Sequence, residues 1–324
     1  MSQGPNIDGV LIQWGDRLFY PGNRIVKVKP QPKLPGGSAQ QRAAAIRARI
    51  EATVVRRAPQ VMVKVTGGGR GMKAIAAHFR YFSKNGRLDI EDEHGDTMRG
   101  KTSLHDLAED WRFGGTFIED GVEPGQRREA FNIMLSMPRG TDPLAEQHAA
   151  REFAKIELAD HKYVMVLHDH QANPHVHISV RAESKHGKRL NPRKADLHRW
   201  RETFAEKLRE RGIETEATRQ ATRGRSRNFE PLWRIKARED GRLRTSRPTA
   251  KSGTQAATTR AEAVEAWMQV GRALAASADK ADRDLARSIA AFVQEIAPVS
   301  PTAAPRTQTQ PTPAPKPIDI DTRR

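Results

Sequence analysis

Four of the eleven histidines fall between positions 168 and 177: His168, His170, His175 and His177. Residues two apart on a strand share a face, so His175 and His177 project together while Val176 and Ile178 enter the apolar side. The stretch Tyr163 to His168 also reads as a strand, and Gln171-Ala172-Asn173-Pro174 reads as the turn of a hairpin that brings His168 beside the other two. Three neutral imidazoles converging on one point leave coordination positions open, which suits a catalytic divalent cation rather than a closed structural site. On affinity alone nitrogen ligands suit manganese, zinc, nickel or copper, whereas magnesium prefers oxygen, so the ligands leave the metal open. A His-x-His pair by itself is more often a surface pair, and it is His168 that makes the set a cradle. A histidine-triad nucleotide hydrolase would carry a third alternating histidine, but that place holds Ser179.

The chain has three tyrosines. Tyr163 lies inside a strand and reads as packing, and Tyr20 lies in a segment with no clear role. Tyr81 sits on a helix whose apolar stripe is Met72, Ile75, Phe79 and Phe82, and at about 100° per residue it points away from that stripe. With Arg80 and Lys84 close by, it is an aromatic that the core does not claim. A phenol with a pKa near about 10 needs proton removal or a stabilising cation before it can act as a nucleophile at neutral pH.

These residues need a scaffold. Val61 to Thr66 alternates as a half-buried strand and ends at Gly67-Gly68-Gly69, and the Tyr81 helix follows from about Gly71 to a stop at Asn85-Gly86. Residues 88–99 read as a polar, partly acidic loop. Ser103 to Trp111 reads as a short helix with a Ser or Thr cap, and Gly114 to Gly125 as a surface loop. A second strand spans Phe131 to Met137, and Asp142-Pro143 starts a helix to about Leu158. Beyond the histidine hairpin a cationic helix spans Leu197 to Arg211, and two more helices are expected at Ala261 to Ala275 and at Ala281 to Ile296.

The division drawn from this pattern is an N-terminal appendage at 1–58, a catalytic domain at 59–228, a basic linker and helical extension at 229–297, and a disordered Pro-rich tail at 298–324. A formal charge of +17, from 56 Lys plus Arg against 39 Asp plus Glu, favours a polyanionic partner, with nucleic acid first and an anionic membrane surface second. Cysteine is absent, which excludes disulfides, iron–sulfur clusters and thiolate zinc sites. No apolar run approaches the roughly 20 residues that span a bilayer, and the first ten residues lack a secretory pattern, so a cytoplasmic location is expected.

Taken together, the chain from about Gln60 to Arg227 resembles the conjugative relaxases of the MobP class, the group that includes the T-DNA border endonucleases, within the His-hydrophobic-His (HUH) endonuclease superfamily. The blocks that carry the resemblance are the first strand with Gly67-Gly68-Gly69, Arg80-Tyr81-Phe82-Ser83-Lys84-Asn85-Gly86, Leu135-Ser136-Met137-Pro138-Arg139-Gly140-Thr141-Asp142, and the histidine hairpin. Their order and spacing agree together. The resemblance implies an α+β fold with a central antiparallel sheet, packed helices and a helical and disordered extension. It also implies site- and strand-specific nicking and rejoining of DNA at an origin of transfer. In that reaction Tyr81 forms a 5′-phosphotyrosine, and magnesium or manganese is held by His168, His175 and His177.

The family pattern has Asp two residues after the first ligand histidine, where this chain has His170 with Asp169 beside it, so either is a candidate for orienting a ligand or accepting a proton. It often has His where this chain has Asn132. DNA contact is expected from Arg80, Lys84, Arg193, Arg199, Arg201, Arg223 and Arg225, with Arg227 beyond. The expected partners are single-stranded DNA at the nick, an accessory DNA-binding protein and a type IV coupling protein, with export alongside the DNA. Rolling-circle initiation, transposition, or silent DNA binding on the same fold are the competing readings.

Overall fold

The computed structural model describes residues 6–20, 38–120, 127–171, 173–225, 234, 237–238, 240–243 and 253–296. Among these, the segments with period two are strands and those with period 3.6 are helices, as side-chain spacing requires. Val63 and Val65, with Val61 just before them, build β1 (Met62–Gly67), and Gly71 opens α3 (Met72–Phe82). β4 (Ala130–Ser136) lies where the second strand was expected, and Asp142 caps α5 (Pro143–Glu157) by accepting from the Leu144 N–H at 3.1 Å. The histidine hairpin is β5 (His161–His168) and β6 (His175–Ser184), and the cationic helix is α6 (Lys194–Arg209).

Two expectations need correction. Residues 88–99 are not only loop, because β2 (Ile90–Asp92) and β3 (Thr97–Met98) form a small hairpin there. Strands of this length are too short to show alternation, and the charge of the buried Glu91 is balanced by its ion pair with Arg151. Helix α4 (Lys101–Phe113) starts without a side-chain cap at Gly100, whose φ of 103° is a conformation glycine adopts readily. The hydroxyl of Ser103 instead donates back to the Arg99 carbonyl.

The six strands form one sheet in the order β1-β4-β6-β5-β2-β3, antiparallel at every pairing, which places the His-x-His strand in its interior. Alternation gives the sheet two unlike faces. On one, Ile133, Leu135, Met165, Val176, Ile178 and Val180 pack on Phe153 of α5 and on Trp200 and Phe204 of α6. On the other, Val164 and Val166 pack on Ile75, Phe79 and Phe82 of α3 and on Trp111 of α4. Polar side chains on this second face include His168 on β5, His175, His177, Ser179 and Arg181 on β6, and Asn132 and Ser136 on β4. Arg181 is buried there by donating to the carbonyls of Trp111 and Thr116.

A second apolar core lies outside the sheet. Helices α1 (Ile7–Phe19) and α2 (Ala39–Val54) join α7 (Thr254–Ala275) and α8 (Lys280–Ile296) around Leu11, Leu18, Ile46, Trp267, Ile289 and Phe292. Segments expected as an appendage and an extension therefore share one interior. Trp267 Nε1 donates to the Thr222 carbonyl at 2.7 Å, and Arg49 of α2 bridges Glu202 and Glu216, so this lobe is bonded to the sheet domain. The tail at 298–324 and most of the linker after Arg225, including Arg227, lie outside the described residues.

One buried group sets a pH dependence of stability. Glu146, in the first turn of α5, is fully buried, and burial pushes its carboxyl up to about 8 against a smaller opposing effect of the Met137 backbone. Because the folded value lies above the unfolded one of about 4.5, the folded state keeps a proton that the unfolded chain releases. Stability is therefore complete below that unfolded value and falls as pH rises toward 8, by at most about 1.4 kcal/mol per pH unit. Glu146→Gln, which stays neutral, is expected to raise Tm more at pH 8 than at pH 5 relative to the parent chain. An equal change at both would show that the carboxyl is ionised in the fold.

Candidate active site

The hairpin register places the histidines in one patch. His168 pairs with His175 at the open end of β5 and β6, and His177 lies two residues further along the same face. Their ring centroids are 4.9, 4.8 and 5.0 Å apart, and one ligand nitrogen from each lies within 4.8 Å of the others. No other cluster of three such groups occurs among the described residues.

Hydrogen bonds assign the nitrogens. His168 Nε2 donates to the Phe82 carbonyl at 2.6 Å and His175 Nδ1 donates to the Asn173 carbonyl at 3.0 Å, because a carbonyl can only accept. The lone pairs of His168 Nδ1 and His175 Nε2 are then free. His168 Nδ1 and His177 Nδ1 are buried with no hydrogen-bond partner in the protein, a costly state that a coordinated cation relieves. Burial holds all three imidazoles below the usual histidine range, and His177, further lowered by its neighbours His168 and His175, falls to about 3. They are neutral at physiological pH, which is the ligating form. The residues therefore fit a divalent cation.

Tyr81 is 73% exposed on the last turn of α3, while Phe79 and Phe82 beside it are buried. The helix ends abruptly. Ser83 Oγ donates to the Phe79 carbonyl at 2.6 Å, and Lys84, Asn85 and Gly86 all take positive φ, so the chain reverses within three residues. A Cβ at Gly86 would lie 2.6 Å from the Gly100 carbonyl oxygen, so this position admits glycine alone. The Phe82 carbonyl that His168 grips belongs to the residue next to Tyr81, which couples the phenol-bearing turn to the histidine patch.

Arg80 and Lys84 are exposed on the same turn, and the Lys84 charge helps to lower His168. Asp169 and His170 are both exposed just past His168. The His170 ring lies 5.3 Å from that of His168, and neither residue joins the ligand set. Asn132 accepts from Ser179 Oγ at 3.2 Å on the histidine face of the sheet.

The arginines of α6 are not brought to this patch. That helix packs with α5 on the opposite face, Arg199 is held by Glu157 at 2.8 Å and Asp196 at 2.9 Å, and Arg201 is half-buried with Glu202 as its charge partner. Arg193, exposed at the start of α6, has its backbone N–H capped by the Asp196 carboxylate at 2.9 Å. Arg223 and Arg225 lie beyond the bridge of Gln60 to Glu216, beside the helical lobe.

His78 was not singled out from the sequence. It lies one turn before Phe82, its ring 5.0 Å from that of Phe82 and stacked 6.3 Å from that of Tyr81. Its Nε2 is buried without a partner, and burial lowers it to about 4. The spacing of three from Tyr81 along a helix was the signal available for it.

Comparison with known proteins gives a consistent picture. Residues 98–213, from β3 to just past α6, match the family described as relaxase, MobA/VirD2-like, nuclease domain. The T-DNA border endonuclease VirD2 of Agrobacterium fabrum (strain C58 / ATCC 33970) is 27% identical over 182 residues, 51% of this chain and 41% of the relative. The VirD2 of Rhizobium rhizogenes is 26% identical over 133 residues, 37% of this chain and 30% of the relative. That of Rhizobium radiobacter is 25% identical over 182 residues, 51% and 43%. The chain spans less than half the length of these curated relatives.

Proposed function

We propose, from the premise that this chain is a relaxase of the VirD2-like type, that it nicks and rejoins one DNA strand through Tyr81 at an origin of transfer. The observation that carries this reading is the hydrogen bond from His168 to the Phe82 carbonyl, which joins the tyrosine turn to the only three-histidine cradle among the described residues.

In this reaction the Tyr81 oxygen attacks the scissile phosphorus, a Tyr–O–P bond forms and the P–O3′ bond breaks. The DNA 5′ phosphate is left on the protein, and the departing 3′ oxygen takes up the proton that the phenol gives up. Ester energy is conserved, so the reverse attack by a 3′ hydroxyl rejoins a strand and no nucleotide cofactor is needed. A divalent cation held by His168, His175 and His177, magnesium or manganese by family resemblance, supplies charge neutralisation at a phosphoryl oxygen when bound. Lys84 and Arg80 add positive charge on the tyrosine turn, where phosphate charge develops. Asp169 and His170, exposed just past His168, are the candidates for orienting a ligand or accepting a proton in this reaction. Among the described residues no helix is long and apolar enough to cross a membrane. An accessory DNA-binding protein, a type IV coupling protein and export with the DNA complete the proposed transfer role.

The test is to incubate the full chain with supercoiled origin-bearing plasmid and a divalent metal, digest the product, and map the modified peptide by mass spectrometry. A nucleotide on Tyr81 is the expected result. Modification elsewhere, or relaxed DNA with free 5′ ends, would refute the assignment.

A further inference from the structure

Away from the histidines, a cavity of about 200 Å³ lies where the sheet domain meets the helical lobe. Arg57 from the end of α2, Gln60 before β1, Arg223 and Arg225, and Phe292 and Glu295 of α8 line it. Arg57 is balanced, with Glu295 at 2.7 Å and the Phe292 ring beneath it at 4.9 Å. Among the described residues the other two arginines are not. Arg223 is half-buried, and among the described residues its side-chain hydrogen bond goes from Nε to the Thr218 carbonyl at 3.2 Å. Burial, with the Arg225 charge adding to it, lowers Arg223 to about 10. No carboxylate pairs with either among the described residues. A guanidinium drawn from water beside a second cation is costly unless an anion completes the site.

The backbone fixes the two side chains around a rigid turn. Gly224 has a φ of 65°, and a Cβ there would lie 2.2 Å from Ile296 Cβ, so the turn is pressed against α8. Arg223 and Arg225 flank that contact, and each carries a planar fork suited to two oxygens of one phosphate. The location is informative as well. Met62, Ser136, His175 and His168 form one row across β1, β4, β6 and β5. Gln60 precedes Met62, so the cavity is at the histidine end of the sheet, displaced sideways by two strand spacings from β6 and three from β5, about 9 to 14 Å.

We propose that the pocket of Arg223 and Arg225 binds one backbone phosphate of the same DNA strand whose scissile phosphate lies at the histidines. The identity of the strand rests on the relaxase reading, whereas the anion chemistry rests on the arginines alone. The pocket fixes where the strand enters or leaves, which sets register without reading bases.

The experiment measures the affinity of the full chain for a single-stranded oligonucleotide between 50 and 200 mM salt, for the parent, Arg225→Gln, Arg223→Gln and, as a charge control on the exposed surface of α7, Arg272→Gln. Loss of one phosphate contact is expected to flatten the slope of log K against log salt by about 0.7 in each pocket variant and not in the control. Arg225 is exposed, so its variant reports even if Arg223→Gln fails to fold. An unchanged slope in Arg225→Gln, or an equal change in the control, overturns the proposal. A parallel melt with inorganic phosphate separates the sources: a Tm rise lost in Arg225→Gln with an unchanged DNA slope makes this a free-anion site and overturns the strand assignment. Adduct formation on Tyr81 with an unchanged slope defeats the pocket and spares the relaxase reading. A flattened slope in a chain that forms no adduct supports the pocket while that reading fails.

Discussion

Tyr81→Phe is expected to bind single-stranded origin DNA as tightly as the parent chain and to form no covalent adduct, with nicking reduced on the order of 10³-fold or more, as when a nucleophile is removed. The change takes away one oxygen and nothing that the fold uses. Tyr81 is 73% exposed and its ring contact is with His78, which a phenyl ring preserves, so stability should move by no more than about 0.5 kcal/mol. Loss of activity with an unaltered melting curve would thus be chemical. Denaturing gel electrophoresis of the reaction with a 3′-labelled strand reads it directly, since the downstream fragment carries the protein. Adduct formation by the variant would move the nucleophile elsewhere and remove the reason for reading the exposed tyrosine as functional.

His177→Ala is expected to abolish the rise in Tm that manganese gives the parent chain and to lower nicking by more than about 100-fold, since even the outer partners of metal ligands cost about 10- to 100-fold. At a metal concentration about 100 times Kd the parent gains about 2.7 kcal/mol, a shift that a thermal melt resolves easily. His177 carries a buried, unpartnered Nδ1 and sits within 4.8 Å of the other two donors, so its removal leaves two ligands. His170→Ala, exposed and outside the set, should keep the metal-dependent shift. The same shift in the parent and in His177→Ala would mean that the cation binds elsewhere.

The histidine hairpin was legible because two independent local signals coincide there, strict alternation on β6 and a turn-rich tetrapeptide before it. Both survive as register in the sheet. The displacement of Tyr81 from the apolar stripe was likewise a local property of one helix, and its exposure follows from it. Its role came from the resemblance, since periodicity says only that the core leaves it free. What could not be read is non-local. The pairing of α1 and α2 with α7 and α8 joins segments some two hundred residues apart, and no window of sequence contains both sides of that core. Charge was read correctly on α6, but its neutralisation was not. Arg199 is committed to Glu157 from another helix, and only the packing of α5 on α6 reveals it. His78 was passed over because its one local signal, a spacing of three from Tyr81, is common on any helix, and the rings of Tyr81 and Phe82 packed around it appear only in the structure.

The link between His168 and the Phe82 carbonyl has a mechanical consequence. The turn that carries Tyr81 and the histidine patch are tied together, so a displacement of one is transmitted to the other. On the same face of the sheet, Met62 is 45% exposed and Lys64 is exposed. A strand bound as proposed meets the tyrosine and the histidines as one unit.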